Sequence, residues 1–188
     1  MKQRAQILKT YKLFINGQFP RTESGHYYQI LNPRTKKPLA NISRASRKDL
    51  RDAVKAARGA LPGWSGKTAT NRGQILYRMA EVLEKRKSEL MEEILSMTKS
   101  GSKNSAANEI ETSIDRLVWY AGWSDKYQQI FGSVNPVALP YFNFTLPEPV
   151  GVVGILAAEE LALLPLTPLT SRACRWQIPF CSIPCLSS

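Results

Sequence analysis

The sequence predicts an α/β protein in which small antiparallel strands come first, three long helices follow, and one apolar strand then opens a sheet left incomplete. Three observations predict it. Asn16-Gly17 and Asn32-Pro33 are turn signals between short β-rich runs, and apolar residues recur at helical spacing between positions 47 and 131. Val150-Gly151-Val152-Val153-Gly154-Ile155-Leu156 then gives a glycine-bearing, β-branched run suited to a strand buried on both faces.

With 188 residues, 43% of them hydrophobic, the chain can bury one core of domain size. Its net charge of +11 is unevenly spread: residues 1–60 hold 14 Lys and Arg against 3 Asp and Glu, and the remainder holds 12 of each. A basic block can grip phosphates. No helix-turn-helix, zinc spacing or stacking platform accompanies it here, and Lys36-Lys37, Arg47-Lys48 and Arg51 fall on loops and a helix face. The charge is therefore read as solvated surface, with neither nucleic acid nor membrane as a partner.

Around Ile7-Leu8, the basic residues Lys2, Arg4, Lys9 and Lys12 leave no signal-peptide core. Apolar runs stay short of the roughly 18 residues a span requires, and a cytoplasmic protein is expected. Cys174, Cys181 and Cys185 are odd in number and clustered, and His26 is the sole histidine, which suits neither a disulfide framework nor a tetrahedral metal site.

In chain order, a basic tail at 1–10 precedes a hairpin, with Leu13-Phe14-Ile15 as a strand, Asn16-Gly17 as its turn and Phe19 starting the return. A second strand spans 27–30 and a third 40–44. Helix one is expected at 47–61, with Ser46 as N-cap, Asp49 closing a capping box, Leu50, Ala53, Val54, Ala57 and Leu61 facing inward, and Pro62-Gly63 as its stop. Trp64 should anchor the following loop. Helix two starts near Thr70 or Asn71, buries Ile75, Leu76, Met79 and Leu83, bends around 86–88, and continues through Leu90, Ile94 and Leu95 to Gly101. Met79, Met91 and Met97 are read as core filler. Helix three runs over 105–131 with Ile110, Ile114, Leu117, Val118 and Ala121 inside, an aromatic cluster at Trp119, Tyr120 and Trp123, and Gly132 as its end. The alternation at 141–146 predicts an edge strand, closed by Pro147 and Pro149 and free to pair with another subunit.

Taken together, Leu13-Phe14-Ile15-Asn16-Gly17, Asn32-Pro33 with Thr35, Ala53-Val54 with Ala56-Ala57, Trp64, Arg72 with Leu76, the run from Trp119-Tyr120-Ala121-Gly122 through Trp123-Ser124-Asp125-Lys126, and Glu148-Pro149-Val150-Gly151-Val152-Val153-Gly154 resemble the N-terminal part of the NAD(P)-dependent aldehyde dehydrogenases. The resemblance covers about 11–156. It implies the beginning of a Rossmann-like coenzyme domain, with 141–146 as an oligomerisation-type strand. It also implies NAD or NADP as cofactor, an aldehyde as substrate, and a homo-oligomer or pairing with a longer homologous subunit. In the family a cysteine thiolate attacks the aldehyde, hydride passes to the nicotinamide, and a Glu-activated water releases the acid. By family position Leu156 and Ala157 fall at the coenzyme; no residue of this chain is assigned a catalytic role.

Departures are equally specific. Where the family usually continues Pro-Trp-Asn-Phe-Pro, this chain has Ala158-Glu159-Glu160-Leu161-Ala162, placing an acceptor carboxylate where an amide donor is expected, and a usual Gly-Lys appears as Gly101-Ser102. Residues 157–188 carry four prolines, the three cysteines and no clear period, and are expected to be a disordered, non-family tail such as a frameshift or splicing change would give. Without the family's cysteine and glutamate, the chain is expected to be inactive alone. A non-catalytic module that pairs with a full-length dehydrogenase subunit is the alternative.

Overall fold

The computed structural model describes residues 8–98, 101–132, 134–156, 163 and 180–182. Its first layer is a three-stranded sheet of order β1-β3-β2, built from β1 (Thr10–Tyr11), β2 (Tyr27–Leu31) and β3 (Pro38–Ser43). β2 and β3 pair antiparallel, as the sequence predicts, whereas β1 runs parallel to β3, so the sheet is mixed. Leu13-Phe14-Ile15 does not form the expected strand. The hairpin is reduced to a bridge between Ile15 and Gln18, with Asn16 and Gly17 both at positive φ as the tight turn requires. At the β2–β3 connection the Asn32 side-chain oxygen accepts from the N–H groups of Arg34 at 2.9 Å and Thr35 at 3.1 Å, which is the physical content of the Asn-Pro-x-Thr signature.

Helix α1 (Arg47–Ser65) opens with the predicted capping box, in which the Asp49 N–H donates to the Ser46 hydroxyl at 3.2 Å and the Ser46 N–H donates to the Asp49 carboxylate at 2.7 Å. The same carboxylate accepts from the Thr22 hydroxyl at 2.6 Å and the Glu23 N–H at 3.3 Å, so one buried acid ties the strand layer to the helix layer. Pro62-Gly63 does not stop the helix. Pro62 lies inside its final turn, where it removes a single ladder bond, and Gly66 is the C-cap.

The second helix divides as expected, into α2 (Ala69–Lys85) and α3 (Lys87–Met97) around Arg86. The third ends early. Helix α4 (Lys103–Gly122) is separated from the short α5 (Tyr127–Phe131) by a turn in which the Trp123 N–H donates to the Trp119 and Tyr120 carbonyls. Leu76 and Ala80 of α2, Ile94 of α3, and Ala106, Ile110, Ile114, Leu117 and Tyr120 of α4 make the main core. Val118 and Leu50, expected inside, are exposed, as are Met79 and Met97. Trp64 packs against the core as predicted, from within α1 rather than from a loop.

Residues 141–146 do not form the predicted edge strand. Phe144 makes an isolated antiparallel bridge to Val134, and Tyr141, Phe142, Phe144 and Leu146 are all exposed because no layer lies beneath them. The apolar run beyond yields β4 (Val153–Ile155), which pairs parallel with β5 (Phe180–Ser182). Among the described residues β4 thus has one neighbour, supplied by a stretch for which the sequence suggested no strand. Apart from Leu163, the rest of the expected tail, including Glu159, Glu160, Cys174 and Cys185, lies outside the described residues.

Candidate functional site

In open α/β sheets ligands bind beyond the carboxyl ends of the strands. β4 offers such an end. Ile155 is buried, while Leu156, the next residue, is 84% exposed at the strand's carboxyl terminus. Gly151 enters the strand at φ 115°, a conformation that excludes a side chain at low cost. Of the two positions expected at the coenzyme, Leu156 therefore stands at the mouth of the sheet, and Ala157 lies outside the described residues. Among the described residues no group of three or more His, Cys, Asp or Glu could hold a metal.

The other signature residues are framework. Leu76 and Leu117 are fully buried, and Ser124, also buried, donates from its hydroxyl to the Tyr120 carbonyl at 3.3 Å. Gly73 lets α2 approach α4 closely: a Cβ there would stand 2.9 Å from the Ala121 carbonyl oxygen. Trp119 meets Tyr120 edge-on at 4.9 Å and Trp123 at 5.4 Å, forming an aromatic patch at the end of α4 rather than a channel wall. Arg72 is 1% exposed; one guanidinium nitrogen donates to the Lys67 carbonyl, while its Nε finds no acceptor among the described residues.

One further feature was not anticipated. A groove of about 720 Å³ runs along α2, walled by Ile75, Met79, Val82 and Leu83, by Leu117 of α4 and by Leu163. Leu163 is fixed there by its N–H, which donates to the buried Glu109 carboxylate at 2.7 Å. Lys67, Asn71, Gln74 and Arg78 complete the lining. The signal was present in the spacing, since positions 71, 75, 79 and 82 share one helical face. Assigning Met79 to the core concealed it.

A helical layer that leads into a glycine-bearing strand paired in parallel makes an α/β arrangement with a small partial sheet. The chain belongs to the aldehyde dehydrogenase family, whose model matches residues 19–163. It is 35% identical to the Bacillus subtilis protein "Putative aldehyde dehydrogenase DhaS" over 158 residues, covering 82% of this chain and 31% of that one. To the "Omega-crystallin" of Enteroctopus dofleini it is 32% identical, covering 85% of this chain and 32% of the relative. Its fold is similar to the NAD+ complex of an aldehyde dehydrogenase from Bacillus cereus, with a TM-score of 0.84 at 29% identity, over 92% of this chain and 35% of that one. The chain spans about a third of the length of the curated relatives it matches. The match reaches Leu163, beyond the point near 156 where the sequence alone showed resemblance to fade.

Proposed function

We propose that this chain is the opening portion of an NAD(P)-dependent aldehyde dehydrogenase, contributing the framework on which the coenzyme sheet starts, and that its 188 residues alone do not oxidise aldehydes. The observation that carries this reading is the family match over 19–163, joined to coverage of only about a third of each relative. Leu156 follows the end of β4, where a coenzyme would approach, and because the chain spans only about a third of its relatives no residue in it is assigned the thiolate or the base of the family's reaction. In the whole enzyme the reaction would be oxidation of an aldehyde to a carboxylic acid, in the cytoplasm.

The test is direct. The purified chain is mixed with NAD or NADP and a panel of aliphatic and aromatic aldehydes, and absorbance of the reduced coenzyme is followed. No signal above the no-protein control is expected, and calorimetric titration with either coenzyme should give no saturable binding. Sustained turnover that is lost in a C174A, C181A and C185A triple variant would overturn the proposal.

A second reading has its own observation: Tyr141, Phe142, Phe144 and Leu146 form a continuous exposed apolar strip. Such a strip suits pairing with a longer homologous subunit. Co-purification of tagged chain with a full-length dehydrogenase subunit would support it, and failure of the two to associate at micromolar concentration would remove it.

A further inference from the structure

From the groove along α2 we infer a binding site for an amphipathic anion, specifically a medium-chain carboxylate, separate from the end of β4. The groove's volume of about 720 Å³ is that of a small-molecule pocket. Its floor is aliphatic: Ile75, Met79, Val82 and Leu83 recur along one face of α2, and Leu117 and Leu163 close the opposite wall. From Asn71 to Val82 this face extends roughly 17 Å at the rise of an α-helix, giving length rather than breadth. An extended acyl chain matches that shape better than a compact ring system.

The polar lining sets the sign of the headgroup. Lys67 and Arg78 bring positive charge, Asn71 and Gln74 bring amide donors, and no carboxylate is found among the described lining residues. Lys67 precedes the Thr68 N-cap and Asn71 lies in the first turn of α2, where the helix end itself favours an anion. Arg78 is held at the rim by Glu81 at 3.8 Å, an exposed pair that leaves Lys67 as the cation better placed to receive a ligand. A carboxylate at Lys67 and Asn71, with its chain running past Ile75 and Met79 toward Val82, uses every part of the lining.

Dodecanoate, kept below its micellar range, is the probe, and calorimetric titration of the full chain is the readout. Saturable binding of one molecule with a Kd of about 10 μM is expected. K67E should weaken it at least about tenfold, and I75W should abolish it by filling the floor. Because Lys67 is exposed, K67E keeps the test valid should I75W fail to fold, as judged by circular dichroism. Dodecyltrimethylammonium, with the same chain and the opposite charge, should bind at least about tenfold more weakly. Absence of saturable binding, equal affinity for the two headgroups, or indifference to K67E would each overturn the inference.

Discussion

Asp49 shows how much one side chain can hold together. Burial pushes its carboxyl up, but hydrogen bonds from the Thr22 hydroxyl, from Ser46 and from the Glu23 N–H outweigh burial and leave it below its ordinary value. A carboxyl depressed in the fold stabilises it fully above the unfolded-state value of about 3.9 and loses that contribution as pH falls through the lower, folded value. Urea midpoints should therefore decline at acidic pH. Asp49→Ala should cost about 1–2 kcal/mol at neutral pH and flatten that decline. Arg72 presents the opposite case, a buried cation with one donor unanswered among the described residues. Arg72→Met should be neutral or should raise stability by about 1 kcal/mol, because no buried ion pair is broken; a large loss in the urea midpoint would instead point to an acidic partner. Ser46 and Asp49 were legible in the sequence because a capping box is local. The Thr22 link was not, since it joins residues 27 positions apart.

At the scale of elements, the helices were legible wherever the apolar period was strong and the ends carried caps. Two departures share a cause. Pro62 remains within α1 and Trp123 interrupts the expected third helix because packing, rather than local propensity, decides those turns: Trp64 must reach the core, and Tyr127 is buried only if the chain bends after Gly122. The strand at 141–146 failed for a related reason. Alternation marks a half-buried strand only when a layer lies under one face, and here both faces remain exposed. The α2–α4 crossing gives a sharp test. Gly73→Ala should improve helix propensity by about 1 kcal/mol yet destabilise the protein by about 1–3 kcal/mol, because the new Cβ meets the Ala121 carbonyl. Thermal melting that moves upward would show that the two helices can separate at little cost.

Across the whole molecule, one well-packed helical core is joined to an apolar surface without cover. Val134, Val137, Leu139, Tyr141, Phe142, Phe144, Leu146, Val150 and Leu156 are all exposed, with Val150 reaching 89%. Exposed apolar side chains in this number favour association. Sedimentation velocity should show concentration-dependent self-association that F142E together with F144E suppresses, with the helical circular dichroism signal unchanged. The candidate site was legible only in outline. β4 announced itself through its glycines and β-branched residues, but the groove along α2 needed α4 and Leu163 to give it a second wall.

The pairing of β4 with β5 also fixes an order of events during synthesis. α2, α3 and α4 all lie before Trp123, and their core can pack before β4 is made. The partner of β4 begins only at Phe180, so on the ribosome Val153-Gly154-Ile155 waits with its hydrogen-bonding edge open while that stretch is still being made. During that interval the nascent chain presents an unpaired strand next to the uncovered aromatic strip at 141–146, and this is where a chaperone would be needed.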